Sequence, residues 1–328
     1  MRVLALVHGY PPARNAGAEW ALHTLLRSLV ARGHRVDVHL AGAQMPAEPY
    51  AVDGVQVHPI ADAAGLLTDG DPVQVIVTHL RSTPRAMLLG ELYRVPVIQV
   101  LHNDNAPERR WMTRRPALVV YNSEWVRRSC LDWWSGTQHD EAPAGIVVRP
   151  PVLAEDYATV PGDRVTLINL CANKGAATFW ALAKRMPEVE FLAVEGGYGD
   201  QIVYDLPNVE VISHIPGHQM REQVYARTRI LLAPSRYESW GRVAVEAMCS
   251  GIPVIAHPTP GLIESLGEAG VFVDREDLDG WEAQIRRLHS AEAWAQARAW
   301  ALGRASELDP AADLHRWTSA VESLAGER

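Results

Sequence analysis

Two glutamates, Glu238 and Glu246, lie eight positions apart across a predicted strand-to-helix junction. Gly241 between them permits a close approach to the backbone, and the free N–H groups of the predicted helix start favour an anion. A fully helical span would separate the two carboxylates by ~12 Å along the axis, more than the ~5–9.5 Å found between the paired carboxylates of glycoside hydrolases. We therefore expect the two glutamates to contact different parts of one long ligand, and a nucleotide sugar has suitable dimensions.

Positions where predicted strands end carry further polar residues. Asn173-Lys174-Gly175 follows a strand predicted over Val165 to Leu170, and a cation beside a helix start suits a diphosphate. His102 follows the strand predicted over Val95 to Leu101, and Gly17 lies in the loop after the first strand. In parallel sheets, ligands bind beyond the carboxyl ends of the strands, so these positions are candidates for a binding site.

The segment around the two glutamates resembles the signature of the family 4 retaining glycosyltransferases, whose fold is called GT-B. The matching residues are Pro234-Ser235, Glu238, Gly241, Glu246-Ala247 and Gly251-Ile252-Pro253-Val254. The resemblance implies that Glu238 is catalytic and lies against the donor sugar, while Glu246 holds the ribose hydroxyls. It places Ser239, Trp240, Gly241 and Arg242 in the donor-binding segment, with backbone amides of Ser239 to Gly241 on the sugar.

The resemblance extends to both halves of the chain. It implies that Lys174 binds the donor pyrophosphate, that the Gly17 amide approaches the donor phosphate and that His102 is catalytic, beside the reacting sugar. The chain departs from the family at Asn169, where an arginine is usual, and at Ala16, where the first of two glycines is usual. We name Asn169 and Arg236 as candidate substitutes for the missing part of the phosphate clamp.

The sequence gives no indication of a metal site or of a bound cofactor, and the nucleotide sugar is expected to act as a co-substrate. Asp69-Gly70-Asp71 and Asp277-Leu278-Asp279 have the Asp-x-Asp spacing of other transferases, but a loop and a helix cap explain them better. Cys130, Cys171 and Cys249 lack metal-binding spacing and fit a reducing cytoplasm.

Arginines and tryptophans cluster in a segment that we assign to the acceptor side. Arg109, Arg110, Trp111 and Arg114 can meet phosphates, a membrane surface or stacked bases, or they can form an ordinary helix surface over buried tryptophans. The acceptor is left open among glycans, lipids, small natural products and nucleic acids. We expect a cytoplasmic protein, with peripheral membrane contact left open and no obligate protein partner.

Alternating strand and helix patterns run along all 328 residues, more than one core usually organises. The sequence predicts an α/β fold with two Rossmann-like domains facing each other across a cleft, the C-terminal helices crossing back to the first. The predicted bounds are 1–153 for an acceptor-side domain, 154–164 for a linker, 165–305 for a nucleotide-sugar domain and 306–328 for a C-terminal helix.

The apolar run from Val3 to Val7 is too short to span a bilayer. The net charge of −8 argues against a protein whose whole surface binds nucleic acid.

Other functions remain open at this point. A sugar-nucleotide epimerase or a glycogen-phosphorylase-like enzyme would use a similar pair of domains, and a non-catalytic module would bind the donor without transferring it. A dinucleotide-dependent oxidoreductase would need a Gly-x-Gly-x-x-Gly motif after the first strand, and the residues from His8 to Gly17 lack it. The sequence favours a retaining, metal-independent hexosyltransferase.

Overall fold

The computed structural model describes residues 1–14, 16–40, 46, 48–59, 65, 67, 71–137 and 141–326. The chain forms two compact units. The first contains Met1–Pro151 together with Pro310–Arg328, and the second contains Val152–Asp309. The end of the chain therefore belongs to the first unit, as predicted for the C-terminal helix.

The first unit contains a sheet of eight strands in the order β3-β4-β2-β1-β5-β6-β7-β8. Its strands are β1 (Arg2–Val7), β2 (Arg35–Leu40), β3 (Tyr50–Val52), β4 (Val55–His58), β5 (Val75–His79), β6 (Val97–Leu101), β7 (Leu118–Tyr121) and β8 (Gly145–Val147). All neighbouring pairs are parallel except β3 and β4. The carboxyl ends of β1, β5, β6 and β7 therefore share one edge of the sheet.

The hairpin of β3 and β4 was not predicted from the sequence. Asp53 and Gly54 both have positive φ, 46° and 80°, and they connect the paired residues Val52 and Val55. An Asp-Gly pair in a two-residue turn is a strong hairpin signal, but the short flanking strands offered little periodicity.

The helices of the first unit cover the sheet. They are α1 (Gly17–Ala31), α2 (Thr83–Tyr93), α3 (Ala106–Arg109), α4 (Glu124–Ser135) and, from the end of the chain, α12 (Ala311–Gly326). Trp317 of α12 is fully buried in the same core as Leu22 and Leu26 of α1, and its Nε1 donates to the carbonyl oxygen of Leu25 at 2.9 Å. This burial explains why the last helix belongs to the first unit.

The second unit contains a fully parallel sheet of six strands in the order β11-β10-β9-β12-β13-β14. Its strands are β9 (Arg164–Ile168), β10 (Phe191–Val194), β11 (Val209–Ile212), β12 (Thr228–Ala233), β13 (Val254–Ala256) and β14 (Gly270–Phe272). Its helices are α5 (Ala154–Tyr157), α6 (Ala176–Arg185), α7 (Met220–Gln223), α8 (Arg242–Cys249), α9 (Pro260–Leu266), α10 (Leu278–His289) and α11 (Ala291–Glu307). Two hydrophobic clusters cover the sheet. Buried parallel strands of this kind are typical of doubly wound folds.

The segment predicted as a linker, residues 154–164, lies in the second unit instead. It contains α5, whose Tyr157 is buried in the core of that unit, and its last residue begins β9. This segment follows a Pro-Pro pair and contains polar residues without a clear period, as a linker would. A one-turn helix is too short to show helical periodicity, so the sequence did not reveal it.

The two Asp-x-Asp segments have different outcomes. Asp277 caps α10, its Oδ1 accepting a hydrogen bond from the Gly280 N–H at 2.9 Å, which confirms the structural interpretation. Asp69 and Gly70 lie outside the described residues. Within the described residues, no helix is long and apolar enough to cross a membrane.

Candidate active site

Lys174 and Glu238 form an ion pair in the second unit, at the carboxyl edge of its sheet. Lys174 ends a 3-10 turn (Ala172–Lys174) between β9 and α6, and Glu238 lies in the loop between β12 and α8. Because β9 and β12 are neighbours, the topology brings the two loops together. Ser235 Oγ also donates to Glu238 Oε1, at 2.8 Å. The structure thus brings together two of the predicted site residues.

Tyr198 joins this pair from the glycine-rich loop after β10. Its hydroxyl lies close enough to the Lys174 ammonium group to act on the pKa of that lysine. Burial opposes the charge of Lys174, but the Glu238 carboxylate and the Tyr198 hydroxyl outweigh it and raise the pKa of the lysine. Burial also raises the pKa of Tyr198, against the attraction of Lys174. Lys174 is therefore a fixed cation over the whole physiological pH range.

Two glycines shape the loop of Glu238. Gly241 has a φ of 84°, and an added Cβ would lie 2.5 Å from Leu262 Cδ2. At Gly261, an added Cβ would lie 2.3 Å from the Glu238 carbonyl oxygen, so α9 packs directly against this loop. Trp240 is buried in the core of the unit, so only its backbone remains for a ligand.

Glu246 lies in α8 within a buried polar network. Tyr225 Oη donates to Glu246 Oε2 at 2.6 Å, and Arg242 Nη1 lies 3.2 Å from Glu246 Oε1. Arg242 Nη2 also donates to Tyr157 Oη at 2.9 Å. Burial raises the pKa of Glu246, and Arg242, Tyr225 and Tyr157 oppose that shift. Arg242 thus acts on the second glutamate through its side chain, a contact that the sequence analysis did not foresee.

Asn169 has a structural role that the sequence analysis missed. It adopts a φ of 73° after β9 and is buried. Its Oδ1 accepts hydrogen bonds from the Cys171 N–H and from Gln201 Nε2, both at 3.1 Å. Gln201 Oε1 in turn accepts from the Leu170 and Gly196 N–H groups. Asn169 therefore holds the loops after β9 and β10 together and is a poor substitute for a phosphate-binding arginine.

Arg236, the other candidate substitute, is exposed beside the Lys174 turn. Its N–H donates to the Asn173 carbonyl oxygen at 2.8 Å. Arg275, which the sequence analysis did not mention, reaches the same turn from the loop after β14. Its Nη1 donates to the Asn173 carbonyl oxygen at 3.1 Å and its Nη2 to that of Ala172 at 2.6 Å.

Three histidines lie at the carboxyl ends of neighbouring strands in the first unit. His8 follows β1, His79 ends β5 and His102 follows β6. His79 Nδ1 lies 2.9 Å from His102 Nε2, and the rings of His8 and His79 are 5.7 Å apart. Burial is the main cause that lowers the pKa of both His8 and His102 to about 4, and it also lowers the pKa of His79 well below its usual range. All three rings are therefore neutral at pH 7.

Gly17 is the first residue of α1 in the first unit. A Cβ added there would meet nothing within 4 Å, so the helix start is open on that side. Glu19 in the same turn is buried, with Arg14 Nε 3.0 Å from its Oε1 and His8 Nε2 3.7 Å away. Burial raises the pKa of Glu19. The expected phosphate contact of the Gly17 amide stays a prediction.

The predicted acceptor patch lies on α3 and on the 3-10 turn that follows it (Arg110–Arg114). The Arg110 guanidinium lies 5.3 Å from the centre of the Trp111 ring, and that of Arg109 lies 5.2 Å from Trp133. Arg110 and Arg114 are exposed. The role of this patch on the acceptor side stays a prediction. Across the described residues, no group of three or more His, Cys, Asp or Glu is placed to hold a metal ion.

Comparison with known families adds independent information about the second unit. Residues 175–291 match the family model described as glycosyl transferases group 1. O-antigen chain mannosyltransferase B of Escherichia coli is 28% identical over 107 residues, which cover 30% of this chain and 28% of that protein. D-inositol 3-phosphate glycosyltransferase of Mycolicibacterium smegmatis is 32% identical over 154 residues, which cover 45% of this chain and 31% of that protein. The match thus spans less than a third of either relative.

Longer alignments exist at lower identity. Glycogen synthase of Mycobacterium tuberculosis is 24% identical over 365 residues, covering 91% of this chain and 88% of that protein. Among solved structures, sucrose-phosphate synthase from Thermosynechococcus elongatus has a TM-score of 0.80 at 18% identity, with full coverage of both chains. The Anabaena protein HepE in complex with UDP-glucose has a TM-score of 0.74 at 17% identity and covers 98% of this chain and 100% of that chain. The two Rossmann-like units thus have the GT-B fold, and residues 175–291 match the group 1 glycosyl transferase model.

Proposed function

We propose that the chain is a retaining glycosyltransferase that moves a hexosyl group from a nucleoside-diphosphate sugar to an acceptor hydroxyl without a metal ion. The observation that carries the proposal is the pairing of Lys174 with Glu238 at the carboxyl edge of the second sheet. It joins a permanent cation to a carboxylate, Glu238, that lies in the segment matching the group 1 family model. A nucleotide sugar requires both, because its diphosphate is anionic and its sugar hydroxyls are hydrogen-bond donors.

Lys174 and the start of α6 bind the leaving diphosphate in this mechanism. An ammonium group has three N–H donors, so Lys174 can keep its bond to Glu238 while donating to a phosphate oxygen. Helix N-termini favour anions, and α6 begins directly after the Lys174 turn. The positive charge is already in place before the reaction, so it stabilises the charge that develops on the diphosphate as the glycosidic bond breaks.

Glu238 and His102 act on the sugar in the proposal. Glu238 orients the sugar by accepting hydrogen bonds from its hydroxyl groups, and Lys174 with Ser235 holds the carboxylate for that purpose. His102, neutral at pH 7, forms a hydrogen bond to the reacting sugar. The leaving diphosphate and the attacking hydroxyl use the same face of the sugar, so the protein contributes mainly positioning and charge stabilisation.

Uridine diphosphate sugars are the first donors to test. The support is the GT-B fold shared with HepE, whose structure contains UDP-glucose. Glu246 holds the ribose in the proposal, as the resemblance implies. The acceptor class stays open, and Arg109, Arg110, Trp111 and Arg114 are proposed to lie on the acceptor side.

The experiment offers UDP-, GDP-, ADP-, TDP- and CDP-sugars to the purified protein with acceptor extracts of glycans and lipids, in EDTA. Release of nucleoside diphosphate that requires an acceptor supports transfer, and proton NMR of the product reports whether the anomeric configuration is retained. Interconversion of donor sugars without an acceptor would indicate an epimerase. Donor binding without release would indicate a non-catalytic module, and a requirement for metal would contradict the metal-independent mechanism.

A further inference from the structure

Three cationic residues meet at one turn of the second unit. Lys174 belongs to the turn itself, Arg236 comes from the loop after β12 and Arg275 from the loop after β14. The Asn173 carbonyl oxygen accepts from the backbone N–H of Arg236 at 2.8 Å and from Nη1 of Arg275 at 3.1 Å. The loops after three different strands thus each contribute a cationic residue near the start of α6.

Carboxylates compensate the charges of the two arginines only weakly. Among the described residues, no Asp or Glu forms an ion pair with either guanidinium group. Burial lowers the pKa of Arg275, and repulsion from the Arg236 charge lowers it further, while Glu276 attracts it more weakly. Keeping like charges close together is unfavourable unless an anion binds between them.

The charge count matches the diphosphate of a sugar nucleotide. Lys174, Arg236 and Arg275 supply three positive charges, and Glu238 beside Lys174 removes one. The remaining two positive charges face a ligand whose diphosphate carries about two negative charges at neutral pH. A sugar or a nucleobase is neutral and would leave these two positive charges without a compensating anion.

We propose that Arg236 and Arg275 bind the diphosphate of the donor together with Lys174 and so replace the arginine that is absent at Asn169. The inference rests on the proposed function and adds a residue, Arg275, outside the motif that carries the resemblance. Arg275 keeps its carbonyl contacts through Nη1 and Nη2, and its remaining N–H donors are directed to phosphate oxygens. Arg236 is exposed and contributes its whole side chain.

A purely structural role for Arg275 is the competing explanation, because it bonds two carbonyl groups. Arg304 supplies a matched control in the same unit. Its Nε donates to the Ser265 carbonyl oxygen at 2.9 Å and its Nη2 to that of Glu264 at 2.7 Å. Arg304→Ala therefore removes the same kind of brace, in a segment that the proposal does not involve.

Calorimetric titration of the full chain with UDP, GDP and ADP, and with the monophosphate of whichever binds tightest, tests the proposal. We expect Arg236→Ala and Arg275→Ala each to weaken diphosphate binding at least about tenfold, and the monophosphate by less than about threefold. Arg304→Ala should leave both affinities unchanged. If Arg275→Ala fails to fold, Arg275→Gln and Arg236→Ala carry the test.

The other outcomes of the titration distinguish failure of this inference from failure of the proposed function. Equal losses for diphosphate and monophosphate, or no loss in the Arg236 and Arg275 variants, would overturn this inference while the wild-type binding still supports the proposed function. Equal loss in Arg304→Ala would reduce Arg275 to a structural brace and also overturn it. Failure of the wild type to bind any of the three diphosphates would instead remove the support for the proposed function itself.

Discussion

The hydroxyl of Tyr225 donates a hydrogen bond to Oε2 of Glu246 at 2.6 Å inside the second unit. Tyr225 is fully buried and Glu246 is 5% exposed. Arg242 lies against the other carboxylate oxygen at 3.2 Å. Both oxygens of the second glutamate are thus held in place, so a ribose hydroxyl that reaches it would meet an acceptor with a fixed orientation.

Removing the Tyr225 hydroxyl should affect both stability and nucleotide binding. We expect Tyr225→Phe to lower the free energy of unfolding by about 1–3 kcal/mol, because a buried carboxylate loses a donor. We also expect weaker binding of nucleoside diphosphates, since Glu246 becomes free to turn towards Arg242. Urea unfolding and calorimetric titration measure the two effects.

Tyr50→Phe is the control for that experiment. Tyr50 Oη donates to the Pro11 carbonyl oxygen at 2.9 Å in the first unit, so its loss also removes one hydrogen bond. We expect a lower stability with unchanged nucleotide affinity. A Tyr225→Phe protein that binds nucleotides like the wild type would contradict the role given to Glu246.

The ion pair of Lys174 and Glu238 should matter more for turnover than for folding. Glu238→Gln keeps the size of the side chain and removes its charge, so sugar orientation and the placement of Lys174 both suffer. We expect kcat to fall roughly 10²–10³-fold, the range measured when one preorganised group of an active site is lost. Nucleoside diphosphate release under saturating donor is the readout.

Glu188 provides a control that separates the loss of kcat at Glu238 from the general effect of removing a negative charge. Glu188 forms an exposed ion pair with Arg286 at 2.8 Å, and exposed pairs contribute little to stability. We expect Glu188→Gln to leave kcat unchanged. Comparable losses of kcat in the two variants would show that Glu238 has no special role.

Much of this site follows from local sequence. The strand-loop-helix pattern around Lys174 predicted a helix start beside it, and α6 (Ala176–Arg185) begins there. The positions of Lys174 and Glu238 after β9 and β12 follow from parallel topology, because loops after neighbouring strands share an edge. The family resemblance supplied the two roles, which the spacing of the residues alone left open.

Residues that join the site through tertiary contacts had no such signal. Arg275 lies about a hundred positions after the carbonyl groups that it binds, and no periodic pattern connects them. Tyr157 lies in a four-residue helix that was taken for part of a linker. The arginine missing at position 169 was visible in the sequence, but the buried contacts that Asn169 makes instead were not.

Asn169 should resist substitution for reasons of backbone conformation. Its φ of 73° favours Asn or Gly, and its side chain bonds the Cys171 N–H and Gln201. We expect Asn169→Ala to lower the free energy of unfolding by about 2–4 kcal/mol, from the lost hydrogen bonds and the strained φ together. Asn169→Gly should cost less, because glycine accepts this φ. Chemical unfolding compares them, and an equal cost for Ala and Gly would exclude backbone strain as a cause.

The histidines of the first unit should make stability depend on pH. Burial lowers the pKa of His8 and His102 to about 4, and the charges of Arg14 and Arg81 act in the same direction on His8. Well above pH 6.5 both rings are neutral in the folded and in the unfolded chain. Between about pH 6.5 and pH 4 the unfolded chain binds protons that the folded chain does not, so stability falls as the pH falls.

The His102→Asn variant measures how much His102 contributes to the pH dependence of stability. Since the wild type loses about 1.4 kcal/mol per pH unit for each such histidine, removing His102 should flatten the decline between about pH 6 and pH 4.5 by that amount. Urea unfolding at several pH values measures the slope, and other titrating groups cancel in the comparison with wild type. His79→Asn should flatten it similarly, because His79 is buried beside His102 and its pKa is lowered as well. Parallel profiles for the wild type and both variants would mean that these rings bind protons as readily in the folded protein as in the unfolded chain.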